Sequence, residues 1–324
     1  LKGIAAVSLF CLGAAGCVTV DTDLGNAYIP IEQQYNIRVT KSELHDVKNR
    51  NLTNMTGYSS RRMTIGAVRD ELFGLVVKSS AFTLIPVSSI IDFGENPAFR
   101  DFHISIQKDT VNVIDDTQAR ILQNIRVYSL RDADRKLDTT TIYTSDLGKS
   151  DFAGCSTISK GIPVYDGGDS LSFSFSRDFG EGEFNRMLSL RDKEGVYVID
   201  SVAAYTNAFP GIFITCDSPS GNGGRYNFFD VAMGLKEGYI TGNYAELKFR
   251  STFKGVAKDT SVLFMFGAVD FPDMSSSKLP EQFAFNAIEH EGKIGERTAD
   301  DKIYVRPQTR GNGGRTERDH AQGA

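Results

Sequence analysis

The sequence has no tryptophan and only four histidines among its 324 residues. Those histidines are His45, His103, His290 and His320. They lie too far apart in the chain to supply the two nearby ligands with which a metal site usually begins. The zinc-protease pattern His-Glu-x-x-His also fails at His290, because Ile294 stands where the second histidine would be. The sequence therefore predicts no metal site and no cofactor.

Recognisable catalytic motifs are missing as well. No Gly-x-Ser-x-Gly nucleophile elbow is present. SDLGKS at 145–150 lacks the first glycine of a phosphate-binding loop, because Tyr143 occupies that position, and we predict a turn there. FGEGEF at 179–184 has only two glycines of a dinucleotide-binding loop and is predicted as a turn that starts a helix. The sequence favours a protein without catalytic activity.

Two close pairs of acidic residues are weighed as catalytic carboxylates. Asp115 and Asp116 are neighbours and point in different directions in an extended chain. Asp166 and Asp169 flank a double glycine, which is typical of a hairpin turn. A glycosidase needs two carboxylates about 5 to 9.5 Å apart across a cleft, and sequence spacing does not reveal such a distance. We predict solvated turn carboxylates at both places.

Basic residues are scattered and do not form a stripe. The chain has 36 Lys and Arg against 41 Asp and Glu, a formal net charge of −5. Nucleic-acid binding needs clustered positive charge along one face. DNA and RNA are therefore excluded as expected partners.

The chain has no apolar run long enough to span a bilayer, which takes roughly 20 residues. Its first segment instead has one lysine followed by GIAAVSLFCLGAAG at 3–16, the pattern of a secretory signal with small residues at its end. LGAAGC at 12–17 resembles the lipobox of bacterial lipoproteins. That resemblance implies cleavage after residue 16 and acylation of Cys17, which would anchor the chain to a membrane. An uncleaved anchor helix continuing to Val20 is the alternative.

Two further cysteines, Cys155 and Cys216, lie beyond the predicted signal. An exported compartment permits a disulfide between them. Their wide separation in sequence instead makes two buried free thiols the default expectation, and the pairing stays open.

Alternating apolar and polar residues predict at least eight β-strands. In SLSFSFS at 170–176, Leu171, Phe173 and Phe175 share one face opposite the serines. His103, between Phe102 and Ile104 on another such segment, is expected to face solvent. The other predicted strands are DFHISIQ, NYAELKFRS, TSVLFMFGAV, AFTLIP, ILQNIRVYSL, GIFITC and RYNFFDVAM.

Turn residues separate these strands, at ENP 95–97, DGGD 166–169 and GNGG 221–224. Two segments at helical spacing, 183–190 and 198–209, predict a short helical insert that ends at Pro210. The expected fold is mainly β, an antiparallel β-sandwich of jelly-roll type with this insert. A third possible helix at 64–80 is weakened by Gly66 and Gly74.

These patterns divide the chain into five predicted parts. A signal peptide occupies residues 1–16 and an N-terminal tether 17–60, and the sandwich follows at 61–274. Residues 275–310 are expected to extend the domain and to be truncated. From residue 311 the chain has no apolar side chain larger than alanine, so 311–324 is predicted to be a disordered tail.

A series of short motifs follows the lipobox along the chain, namely DLGNAYIP (23–30), IGAVRDELFG (65–74), DTVNVIDDTQ (109–118), RVYSL (126–130), FPGIFITCD (209–217), SVLFMFG (261–267) and FNAIEHEG (285–292). Their order resembles one family, the Bacteroidota lipoproteins built on the domain of unknown function numbered 4270. The resemblance covers most of the chain after residue 16. One motif departs from the family, because Pro210 separates Phe209 from Gly211.

The resemblance implies an exported, lipid-anchored, mostly β protein of the outer membrane, facing the periplasm or the cell surface. It implies no catalytic residue, and it suggests that 65–74 is an irregular loop leading into a strand, which we prefer to the helix. Members of the family continue past a Gly-rich turn into a closing strand, whereas GNGG at 311–314 leads into a polar tail. This difference predicts a fragment or an altered C-terminus.

Two functions follow from the sequence. The first is a non-catalytic binding or assembly module, held to the membrane by its lipid, whose partner is an envelope protein or a glycan. The absence of tryptophan favours an envelope protein over a glycan as the partner. Without tryptophan, a flat aromatic surface for sugar binding would have to consist of tyrosines such as Tyr58, Tyr165 or Tyr226. The alternative is a carbohydrate-active hydrolase or a glycan-binding lipoprotein of the cell surface. Two carboxylates facing each other in a concave pocket would favour the hydrolase.

Overall fold

The computed structural model describes residues 55–71, 74–109, 121–137, 142–236, 239–273 and 278–291. Their strands are β1 (Tyr58–Ser59), β2 (Arg62–Asp70), β3 (Gly74–Phe82), β4 (Leu84–Pro86), β5 (Ile90–Asp92), β6 (Glu95–Gln107), β7 (Gln123–Ser129), β8 (Val164–Tyr165), β9 (Ser170–Ser174), β10 (Val196–Val198), β11 (Ile212–Cys216), β12 (Gly223–Asp230), β13 (Met233–Lys236), β14 (Tyr239–Gly242), β15 (Tyr244–Phe253), β16 (Val256–Phe266) and β17 (Ala284–Glu291). The helices are α1 (Arg177–Ser189) and α2 (Val202–Ala208), and Lys149–Phe152 form one 3₁₀ turn.

Two antiparallel sheets make up the body of the fold. The larger sheet has the order β1-β17-β3-β11-β7-β8, and β2 also pairs with β3 while β12 pairs with β2. The smaller sheet has the order β4-β16-β15-β6-β9. Two short ribbons, β5 with β10 and β13 with β14, complete the strands. The predicted fold class, a mainly β antiparallel sandwich with a short helical insert, is confirmed.

The main core fills the space between the two sheets. Phe82 of the larger sheet and Phe266 of the smaller one have ring centroids 4.8 Å apart, and both are fully buried. The alternation in the sequence produces this core, because successive residues of a strand point to opposite faces. Phe102, Ile104 and Ile106 of β6 enter it together.

The outer face of the larger sheet carries a second, smaller core. Tyr128, Phe213 and Ala81 lie on that face and are buried beneath Leu147 and Phe152. The segment from residue 142 to 155 thus covers part of the sheet from outside.

The helical insert lies between β9 and β11 and starts earlier than predicted. Helix α1 begins after Ser176, whose hydroxyl accepts a hydrogen bond from the backbone amide of Phe179. The prediction of a turn at 179–184 is wrong, because these residues lie inside α1. Gly180 packs where a Cβ atom would come within 2.7 Å of Phe99, so this glycine permits close contact with the sheet and does not end the helix.

The helix prediction for 64–80 is wrong, and the irregular loop predicted at 65–74 is wrong for residues 65–70, which belong to β2. The strand expected to follow that loop is present as β3. The segment 64–80 forms most of the β2–β3 hairpin, in which Asp70 pairs with Gly74. Gly66 lies where β12 approaches closely, and a Cβ atom there would be 2.2 Å from the Arg225 carbonyl oxygen. Gly66, one of the two glycines that weakened the helix prediction, is thus needed for strand pairing.

Two turn predictions also need correction. DGGD at 166–169 does not close a hairpin, because β8 before it belongs to the larger sheet and β9 after it to the smaller one. ENP at 95–97 lies within β6, where Asn96 has φ of 51° and the pairing with β15 is irregular. An extra residue in one strand, as in a bulge, accounts for the turn-like sequence.

Strand β17, within the segment expected to extend the domain, is an inner strand of the larger sheet. It pairs with β1 on one side and with β3 on the other.

Candidate functional site

The lipidation residue predicted from the sequence, Cys17, lies outside the described residues, as do Asp115, Asp116, His45 and His320. Within the described ranges, no helix is long and apolar enough to cross a bilayer. The same ranges contain no group of three or more His, Cys, Asp or Glu side chains placed to hold a metal ion.

A group of polar side chains lines a small cavity beneath the helical insert. A cavity of about 30 Å³ opens there between α1, α2 and the ends of both sheets. Its polar lining consists of Ser129, Arg131, Glu183 and Tyr205, and apolar residues such as Phe102, Met187 and Phe264 make up most of the rest. A metabolite pocket has a volume of roughly 300 to 1,000 Å³, so this cavity has room only for a water-sized molecule.

Arg131 joins the parts of the insert around this cavity. It follows β7, and its guanidinium donates to the Glu183 carboxylate on α1 and to the Ala208 carbonyl at the end of α2. Arg186 lies 3.7 Å from the same carboxylate. The Glu183 side chain is almost completely buried, so it depends on Arg131 for charge compensation. This ion pair fixes the two helices against the sheet.

Tyr205 on α2 completes the cavity lining. Burial raises the pKa of its hydroxyl well above the usual value, and the negative charge of Glu183 raises it further. Its ring stacks on Phe209 with centroids 4.6 Å apart. The hydroxyl is therefore protonated at neutral pH and is a proton donor but not a base.

The outer face of the smaller sheet is polar. His103 lies there with its side chain 21% exposed, in agreement with the predicted solvent-facing position. Its Nδ1 is 3.6 Å from Asp101 Oδ2 and its Nε2 is 3.4 Å from Glu246 Oε2. The two carboxylates approach different ring nitrogens and do not converge on one point, as a metal or a reacting atom would require.

The predicted acidic turn shows a structural role. Asp166 accepts a hydrogen bond from the Gly168 amide at 2.9 Å and so closes the turn on itself. The enclosed cavity, by comparison, is lined by a single carboxylate, that of Glu183.

The tyrosines considered as sugar platforms differ in exposure. Tyr165 is only 2% exposed, which removes it from that role. Tyr226 is half-buried and has the Lys78 ammonium over its ring. Tyr58 is exposed, but its ring packs on Phe283 and its hydroxyl donates to Glu281 at 2.7 Å. Burial and this hydrogen bond raise the pKa of Tyr58 to about 12.

Cys155 and Cys216 are both free, which settles their pairing. Cys216 is buried as expected, and burial raises the pKa of its thiol to about 12. The expectation that both thiols are buried is wrong for Cys155, which is partly exposed at the edge of the outer cluster.

Sequence reasoning missed Arg131 and Glu183. A signal was present, because Glu183 stands four residues before Met187 and next to Phe184, on the apolar side of the predicted helix. A carboxylate on that face needs a cationic partner from elsewhere in the chain. Nothing in the local sequence identifies Arg131 as that partner.

Comparisons with known proteins returned no relative. No family model matches the chain. No curated protein and no solved structure matches it either.

Proposed function

We propose that this chain is a lipid-anchored protein of the cell envelope, exported and held to the outer membrane through Cys17, whose sandwich binds or assembles with another envelope component. The observation that carries the proposal is the order of residues 12–17, a leucine and small residues directly before a cysteine, behind a short apolar run. The resemblance to lipoproteins of the domain numbered 4270 supports the same placement.

The non-catalytic part of the proposal rests on the side chains that line the enclosed cavity beneath the helical insert. The enclosed cavity holds a water-sized volume, and its one carboxylate is neutralised by Arg131. A hydrolase of the alternative kind would need a second carboxylate facing the first across a substrate-sized cleft. The polar outer face around His103 is open and is better suited to contact with a large partner than to enclosing a substrate.

Metabolic labelling tests the anchor. The chain, expressed in a bacterium with an alkyne fatty acid, is compared with the variants Cys17→Ser and Cys11→Ser. We expect the unaltered chain and Cys11→Ser to take up label and to enter the detergent phase, and Cys17→Ser to do neither. Peptide mass spectrometry is expected to find the acylated N-terminus at Cys17.

An unmodified Cys17 with residues 1–16 still attached would contradict the anchor, as would equal labelling of Cys17→Ser. Protease treatment of intact cells then distinguishes the two faces of the membrane. Digestion of the sandwich indicates the cell surface, and protection indicates the periplasm.

A further inference from the structure

A half-buried apolar face crosses four neighbouring strands, β17, β3, β2 and β12. Its side chains are partly exposed and lie at alternating positions, whereas the residues between them, such as Ile65 and Val77, are buried. We call this surface the Lys78 face. It consists of Val68, Val76, Lys78, Tyr226, Phe228 and Ile288.

The register places Lys78 in the middle of this face. Ile288, Lys78, Gly66 and Tyr226 are successive partners across the four strands. The Lys78 ammonium lies 4.7 Å from the centroid of the Tyr226 ring, on the far side of the intervening strand residue Gly66. The next row contains His290, Val76 and Val68; the two valines extend the apolar surface, and the partly exposed His290 is its polar edge on β17.

The Lys78 charge is only partly compensated. No carboxylate of the described residues lies within ion-pair distance of its ammonium, and burial lowers the pKa of the amine. An aromatic ring offers a cation only modest stabilisation. A methionine or leucine would fit an apolar surface at lower cost. An anion from outside the chain would complete this site.

The shape of the face favours a protein as the source of that anion. Small molecules bind in concave pockets, whereas this surface is a sheet face. The centres of protein interfaces are apolar and aromatic, and a desolvated charged pair at the centre gives specificity. The Lys78 face likewise combines apolar and aromatic side chains, and its Lys78 ammonium is the cation of such a charged pair without the anion.

We propose that the Lys78 face is the docking surface for a partner protein that places an Asp or Glu carboxylate on the Lys78 ammonium, within a ring of apolar contacts. The proposal deepens the proposed function, since it takes the partner to be an envelope protein. The docking itself does not require acylation of Cys17.

Photocrosslinking tests the docking. The purified full chain carries p-benzoylphenylalanine in place of Ile288 and is irradiated with solubilised envelope of the source organism. A second probe replaces Val256, which is 65% exposed at the far hairpin of the smaller sheet. We expect a specific protein adduct from position 288 and none from position 256. Its cross-linked peptide is expected to have an Asp or Glu within a few residues.

Variants at Lys78 make the test specific. Lys78→Met is expected to lower the adduct yield roughly tenfold and Lys78→Glu further, while Lys78→Arg retains it. Lys258→Met is the matched control, because the Lys258 ammonium lies 4.6 Å from the Phe253 ring on another surface, and it should leave the yield unchanged. Thermal unfolding checks that each variant folds, and Lys78→Met should not lower the midpoint.

Several outcomes would overturn the proposal. The first two are that no adduct forms, or that its yield does not change in Lys78→Met and Lys78→Glu. The others are a cross-linked peptide without a nearby carboxylate, and an adduct formed with lipid or with a second copy of this chain. Repeating the experiment with Cys17→Ser separates the two hypotheses. If the anchor is wrong but the docking is right, the adduct persists in that variant and is equally sensitive to Lys78→Met.

Discussion

Phe152 stacks on Phe213, with ring centroids 4.5 Å apart and planes inclined by 13°. Phe213 belongs to β11, an inner strand of the larger sheet, and Phe152 to the 3₁₀ turn outside it. Tyr128, the partner of Phe213 on β7, also stacks on Phe152, with ring centroids 5.2 Å apart. Phe152 thus covers two neighbouring rings on the outer face of the sheet.

Phe152→Ala should therefore destabilise the protein. The substitution leaves a cavity over Phe213 and removes a buried ring, for which we expect a loss of about 3 kcal/mol in the free energy of unfolding. Urea denaturation measures the loss. Leu122→Ala, at a side chain 71% exposed, is the control and should change stability by less than about 0.5 kcal/mol. A similarly small effect of Phe152→Ala would show that the outer segment does not pack as described.

Replacing one member of the Arg131–Glu183 pair should lower the free energy of unfolding more than replacing both. Arg131→Met leaves the buried Glu183 carboxylate with only Arg186, 3.7 Å away, as a cation, and we expect a loss of about 2 kcal/mol in the free energy of unfolding. The double variant Arg131→Met/Glu183→Met replaces both charges by apolar groups and should regain part of that loss. A double-mutant cycle in denaturant measures the coupling. Additive losses would contradict the pairing.

Asp217 should make stability sensitive to acid. Arg126 donates to both of its carboxylate oxygens, at 3.0 and 2.7 Å, and this holds the pKa of Asp217 below 3.8. A carboxyl whose pKa is lower in the folded state stabilises the fold above its unfolded pKa and loses that contribution as the pH falls through its folded pKa. Asp217→Asn should thus cost about 0.5 kcal/mol at pH 7, since solvent screens this partly exposed pair, and progressively less below pH 3.8.

Denaturation of both forms between pH 2 and 7 measures this difference. Asp259→Asn is the control, because Asp259 is paired with Arg250 at 3.3 Å but its side chain is 70% exposed. A cost for Asp217→Asn that is constant with pH would contradict the assignment.

The two internal thiols should differ in reactivity. Burial raises the Cys216 pKa to about 12, so almost no thiolate forms at pH 8, whereas Cys155 is partly exposed. We expect iodoacetamide to label Cys155 in the native protein and Cys216 only after unfolding, as read by peptide mass spectrometry. Labelling of both at one rate in the native state would argue against the burial of Cys216.

Strand patterns could be read from the sequence where one face is buried. Leu171 and Phe173 on β9, and Ala245, Leu247 and Phe249 on β15, alternate as predicted because each strand has one side toward the core. Glycines led to wrong predictions where they are present to allow close tertiary contacts. Gly66 and Gly180 accommodate a neighbouring strand or ring from distant parts of the chain, and local propensity contains no information about that neighbour.

The candidate sites also combine features that the sequence shows with features that depend on tertiary contacts. A charged residue on an apolar helix side, Glu183, was visible in the sequence, but its partner Arg131 is 52 positions away. The lack of a carboxylate partner for Lys78 among the described residues was not visible in the sequence, because it depends on which strands lie beside β3.

The sequence by itself determined the fold class and the candidate export and lipidation signal, since apolar periodicity and a short signal-like run are local properties of the chain. The tertiary structure alone decided which strands pair, which turn crosses between the sheets and which charges are buried together. The physical reason is that burial and pairing depend on contacts between residues far apart in the chain. Those contacts form only when the two sheets close on their shared core.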